Sequence, residues 1–163
     1  MRKNLLLIIF IWLSSTTTLF ATELQLSLNL PQQSGEYHNP YVAVWIENSK
    51  GKSVRTLVLW REGSKWLKDI RRWWRKVGRK DETLVDAITS ATRAAGSYQL
   101  TFQALDDDKN QLASGNYILH LEVVRENGGR AIIKQKFTLN GTSQTFTLAP
   151  NPEVAKSIFT IKE

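Results

Sequence analysis

The residues able to do chemistry fall mostly in one stretch. Trp66, Trp73 and Trp74 stand among a run of cations, and Asp86-Ala87-Ile88-Thr89-Ser90-Ala91-Thr92 follows, a segment of small and hydroxyl-bearing side chains. Aromatic faces stack on planar rings and cations neutralise phosphates, so the first half has the composition of a ring- and anion-binding surface. The same composition suits a helix lying on an anionic membrane, or one docking an acidic protein. Outside this stretch little is available. His38 and His120 share no ligand spacing with each other or with a carboxylate, and there is no cysteine, phosphate loop or Gly-rich dinucleotide fingerprint. His120 sits in an alternating strand pattern and reads as a strand residue, whereas His38, in Tyr37-His38-Asn39-Pro40-Tyr41, is a loop residue beside aromatics. Asp106, Asp108 and Asn110 have the spacing that opens a calcium loop. Its sixth and twelfth positions are Gln111 and Tyr117, where glycine and glutamate are needed, so the segment reads as a hairpin turn.

The elements that must position these residues are strands. Leu24, Leu26, Leu28 and Leu30 alternate with polar residues, the period of a half-buried strand. Tyr41–Glu47 is apolar on both faces and reads as a central strand, joined by a turn at Asn48–Lys52 to a third strand, Ser53–Trp60. The period then changes. Trp66, Leu67, Ile70, Trp73, Trp74 and Val77 form an apolar stripe on a helix, with Ser64 placed to cap it, Gly78 to end it and the basic residues opposite. Asp81–Val85 reads as loop. Strands resume at Tyr98, Leu100 and Phe102, then from Gly115 through Val123, Ile132–Leu139, Thr145–Leu148 and Ser157–Ile161, with Asp106–Asn110 as a turn and Asn127-Gly128-Gly129 and Asn140-Gly141 as hairpin turns. The expectation is a mainly β protein: an immunoglobulin-like β-sandwich of about eight strands, with one amphipathic helix inserted around residues 64–78.

Residues 1–21 have another character. Arg2 and Lys3 precede a short apolar run, Leu5–Leu13, and Phe20-Ala21-Thr22 offers a small residue for cleavage, the pattern of a secretory signal peptide. The expectation is export to the periplasm, cleavage near Ala21 and a single domain over residues 22–163. Zero cysteines mean that this domain relies on its core alone, without disulfides. The formal charge of +7 falls to +5 without the two leader cations. Lys65–Lys80 holds eight basic residues against Asp69, a local +7, so the rest of the domain is about −2 (+5 less +7). A local patch on an exported protein points to a specific anionic partner and not to nucleic acid.

The run Tyr37–Glu47, with Lys52–Leu57, Lys65-Trp66-Leu67, Arg71–Trp74 and Asp86–Arg93, resembles a bacterial periplasmic family catalogued as domain of unknown function 2271. The resemblance covers nearly the whole mature chain. It implies association with PepSY-type membrane proteins and flavin transferases, and extracytoplasmic redox work. The second half, Gly96-x-Tyr98-x-Leu100 through Gly115-x-Tyr117, is similar to the immunoglobulin-like domain of flagellar hook-capping proteins, which implies the same sandwich. Asp86–Thr92 also resembles the flavin-transferase target of FMN-binding redox subunits, with Ser90 where glycine is usual. That resemblance implies FMN esterified to Thr92, with Asp86 and Ser90 shaping the loop. In this picture Trp73 or Trp74 stacks on the flavin, and Arg71, Arg72 or Arg93 meets its phosphate. The chain would then be an electron carrier serving a PepSY-type partner and not an enzyme that turns over substrate. The alternative is a non-catalytic binding module that docks an acidic protein or a membrane surface through the Trp/Arg-rich helix.

Overall fold

The structure, a computed structural model, describes residues 22–35 and 37–163, so the leader read over residues 1–21 lies outside the described residues. The domain is a β-sandwich of two sheets, with strands ordered β5-β1-β9-β8 and β4-β3-β2-β6-β7. The first sheet contains β1 (Glu23–Leu30), β5 (Gly96–Gln103), β8 (Gln144–Leu148) and β9 (Ser157–Lys162). The second contains β2 (Tyr41–Asn48), β3 (Ser53–Trp60), β4 (Thr89–Ser90), β6 (Gly115–Val124) and β7 (Arg130–Leu139). The four alternating leucines of β1 are buried against Val42, Val44 and Ile46 of β2 and Leu119, Leu121 and Val123 of β6. Phe137 of β7 meets Phe159 of β9 edge to face across the two sheets, with ring centroids 5.2 Å apart. The two-sheet sandwich inferred from turn spacing is the architecture observed. The β2–β3 turn is shaped by Asn48, whose Oδ1 accepts the N–H groups of Lys50 and Lys52, and by Gly51 at φ +71°, a conformation costly for other residues.

β2 is buried on both faces, from Tyr41 through Glu47. Its second face is covered by the segment between β3 and β4. That segment is helical where the apolar stripe places a helix, but in pieces: a 3-10 helix Ser64–Asp69, α1 (Arg71–Lys76) and a 3-10 turn Gly78–Lys80. Gly63, and not Ser64, occupies the capping position. The break comes at Ile70, whose ψ of 67° leaves the helical region while its side chain anchors fully buried. Leu67, Ile70, Trp73 and Val77 form a second core with Tyr41, Ala43, Trp45 and Leu59.

Two expectations need correction. Asp81–Val85 is not a loop: Asp81 accepts the Leu84 N–H and starts α2 (Glu82–Ile88), whose Leu84, Val85 and Ile88 pack on the second core. The Asn140-Gly141 turn does not join a hairpin either. It carries the chain from β7 in one sheet to β8 in the other.

Candidate functional site

The Asp86–Thr92 run starts in the last turn of α2, pairs two residues with β3 and is then released into a loop. Arg61, at the end of β3, fastens it at three points. Its N–H donates to the Ser90 carbonyl (2.9 Å), its Nε to Thr89 Oγ1 (3.0 Å), and its Nη2 lies 3.7 Å from the Asp86 carboxylate. At the far end of the loop the Tyr98 hydroxyl donates to the Ala94 carbonyl at 2.6 Å. Tyr37 lies beside Ala95, and burial raises its phenol pKa against the opposing effect of the Ala95 backbone N–H. Thr92 lies between these fixed ends. It is half-buried, with Ala91 and Ala94 exposed around it. Arg93 lays its guanidinium over Trp60, 4.4 Å from the ring centroid, and 5.3 Å from that of Tyr98.

Sequence reasoning missed Arg61, Tyr37, Tyr98 and Trp60. The available signal was the position of Trp60-Arg61 at the end of a central strand.

The other expected residues are not gathered at this loop. Trp73 is wholly enclosed in the second core and donates from Nε1 to Thr56 Oγ1 (3.2 Å), so it has no free face to stack on a flavin. Gly78 is tied to this packing, since a Cβ there would stand 2.7 Å from Trp73 Cζ3 and 2.5 Å from Trp74 Cε3. Trp74 is half-buried with Leu84 and Ile88 at the rim of the second core, and it remains open to contact. Arg72 turns inward, with Nη2 3.7 Å from the buried Glu47 carboxylate, so it is not placed to meet a phosphate at Thr92. Arg71 is exposed beside Tyr41, Val124 and Arg130. At about 4.8 Å per strand, that is on the order of 10–15 Å across the sheet from β4. Arg93 alone among the three arginines adjoins Thr92 in the chain.

Beneath α1 lies a polar cluster that the sequence does not announce. Glu122, fully buried on β6, accepts the backbone N–H of Arg72 (3.1 Å) and of Trp73 (2.9 Å), and Arg130 Nη2 lies 2.7 Å from it. Glu47 takes the Trp45 indole N–H (3.1 Å), with Lys76 Nζ at 4.0 Å. His120 is stacked on Trp45, centroids 4.6 Å apart at 10°, with Nε2 3.4 Å from Glu47 Oε2. Among the described residues no group of three His, Cys, Asp or Glu side chains can hold a metal. Asp106–Asn110 is a closed turn, the Asn110 N–H donating to Asp106 Oδ1 at 2.8 Å.

Burial lowers the His120 pKa from 6.5 to about 4; Glu47 opposes the shift, and Arg72, Lys134 and Lys76 add to it. The folded protein therefore keeps His120 neutral at a pH where the unfolded chain protonates it. Stability present above pH 6.5 is lost as pH falls toward 4, by about 3 kcal/mol in the limit. His120→Phe, which retains a ring on Trp45, is expected to remove that slope when urea unfolding is compared at pH 7, 5 and 4. An unchanged slope would exclude His120 as its source.

No helix among the described residues is long and apolar enough to cross a membrane. No curated protein and no solved structure matches the chain. A family model described as "Predicted periplasmic protein (DUF2271)" matches residues 23–156.

Proposed function

The chain belongs to that family of predicted periplasmic proteins, and from this premise we propose that it is a flavin carrier. It holds FMN in a phosphoester bond to Thr92 and exchanges electrons with a PepSY-type membrane protein. The observation that carries this reading is the placement of Thr92: a hydroxyl in an open loop with small neighbours, pinned at Ser90 by Arg61 and at Ala94 by Tyr98. A target for a large transferase needs such a combination. The hydroxyl must be accessible, yet the loop around it must already be ordered, so that little conformational entropy is lost on docking.

Attachment is a group transfer without redox change. Thr92 Oγ1 forms a bond to the flavin-side phosphorus of a flavin adenine dinucleotide, the pyrophosphate bond breaks, and adenosine monophosphate leaves with the hydroxyl proton. Arg93 is the cation next in the chain to the new phosphodiester, and swinging off the Trp60 ring would bring its fork to the phosphate oxygens. The half-buried Tyr98 stands beside the loop, and Trp74 offers a ring at the neighbouring rim. Asp86 keeps Arg61 aimed at the loop base and has no part in the bond change. The flavin, when bound, supplies one- and two-electron transfer.

Co-expression with a periplasmic flavin transferase, followed by intact-mass measurement, tests the proposal. Wild type is expected to gain an FMN-sized adduct and Thr92→Ala to gain none while unfolding at the wild-type denaturant concentration. An adduct-free wild type, or an adduct on Thr92→Ala, would refute it.

A further inference from the structure

We infer that the outward face of the helical insertion, extended by β7, is a docking surface for an acidic protein, and that it works through charge without apolar insertion. The insertion sorts its cations into two sets. Arg72 and Lys76 are drawn toward Glu47, and Lys76 Nζ also donates to the Gly51 carbonyl at 2.9 Å. Lys68, Arg71, Arg75, Arg79 and Lys80 are exposed, Arg75 with its Nε donating to the Arg71 carbonyl at 3.2 Å. β7 continues the surface. Lys134 pairs across the sheet with His120 and Lys136 with Ile118, and both lysines are exposed. Cross-strand partners share a face, so these lysines stand on the side that carries the insertion.

The charge is concentrated: Lys65–Lys80 carries +7 and the rest of the domain about −2 (+5 less +7), with Asp81, Glu82 and Asp86 exposed on the adjoining α2. Such an asymmetric field orients and speeds the approach of an oppositely charged partner.

The fold also decides between partner classes. A helix that binds a membrane surface lies in it by its apolar face. Here Leu67, Ile70, Trp73 and Val77 are all buried against the protein's own sheet. Among the described side chains, which do not include that of Trp66, the exposed large hydrophobic is Ile158, which belongs to β9 in the opposite sheet. Arg71 and Arg75 are instead exposed guanidiniums, Arg75 with only its Nε engaged on the Arg71 carbonyl, and such groups match carboxylates in two-point contacts. The choice of a protein over lipid also rests on the flavin-carrier reading, because such a carrier must meet a protein to exchange electrons. Trp74, Leu84 and Ile88 pack together on one core, so this face adjoins the helix that leads to Thr92.

The experiment measures binding of the full exported protein, with or without flavin, to poly-L-glutamate and to phosphatidylglycerol–phosphatidylcholine vesicles of matched charge density, at low and moderate salt. Wild type is expected to bind polyglutamate more tightly than the vesicles, with affinity falling as salt rises. The pair Arg71→Glu with Arg75→Glu should weaken that binding roughly tenfold or more, while Lys156→Glu with Lys162→Glu, the same change in net charge at other exposed sites, should leave it within about twofold. Equal loss from both pairs, stronger binding to the vesicles, or no binding to polyglutamate at low salt would each overturn the inference. Because the assay does not need FMN, an adduct-free wild type would refute the flavin proposal and leave this result to be judged separately.

Discussion

Replacing Glu122 with alanine is expected to destabilise the protein by about 2–5 kcal/mol, since two backbone donors lose their acceptor at about 1–3 kcal/mol each. Glu122 is fully buried and does two jobs at once. It accepts the first backbone N–H groups of α1, from Arg72 and Trp73, and it neutralises Arg130. Alanine leaves those donors without a partner in a site closed to water, and an orphaned buried donor loses its full hydration. Glu122→Gln keeps one acceptor oxygen and should lose less. The discriminating variant is Glu122→Leu combined with Arg130→Leu. If the ion pair alone matters, two well-packed apolar residues should restore stability; if the carboxylate is needed to receive α1, stability stays low. Urea unfolding of the four proteins decides this, and a loss under about 1 kcal/mol in Glu122→Ala would remove Glu122 from its role.

Trp73→Ala should cost a similar amount, about 3–5 kcal/mol. The side chain is one of the two fully buried indoles of the second core, with Trp45, Leu59 and Ile70 around it, and it is hydrogen-bonded to Thr56. Trp73→Phe should recover most of the packing and lose about 1 kcal/mol for the Thr56 bond. Trp74→Ala, at the half-buried rim, is expected to fall well short of Trp73→Ala. Equal losses at the two positions would contradict the assignment of Trp73 to the core. The readout is the urea midpoint, paired with near-ultraviolet circular dichroism to follow the environment of the rings.

Much of the fold can be read in the chain because it is periodic. The β1 leucines, the doubly apolar β2 and the turns at Asn48 and Asn127 each declare themselves locally, and the stripe from Leu67 to Val77 announces which side of the insertion is buried. The candidate site is less legible. Nothing near Arg72 in sequence says that it turns toward Glu47, because Glu47 lies on another strand and is itself enclosed only once the insertion has docked. Glu122 and His120 occupy strand positions that face solvent in a sandwich with one covered face. Only the apolar second face of β2, with Tyr41 and Trp45 on it, hints that this sheet has a lid. The helix α2 was detectable, since Asp81 precedes Leu84, Val85 and Ile88 at helical spacing, but the polar start of the segment resembles a loop. The flavin-target resemblance placed Thr92 through residue types alone. Arg61, Tyr98 and Tyr37, which hold its loop, come from three separate strands and loops that meet only in the folded state.

β4 pairs with β3 at two residues only, in parallel, at the sheet's edge. Its amides belong to the class that opens by local fluctuation and not by global unfolding. Peeling Thr89 and Ser90 from β3 disturbs a few bonds around Arg61 and leaves the eight longer strands in register. Thr89 and Ser90 can therefore leave β3 and return while the central strands stay paired, so amide hydrogen exchange is expected to be faster at these two residues than in β2 or β6. The sandwich sets how long the protein lasts, and this short pairing sets how often residues 89 and 90 leave the sheet.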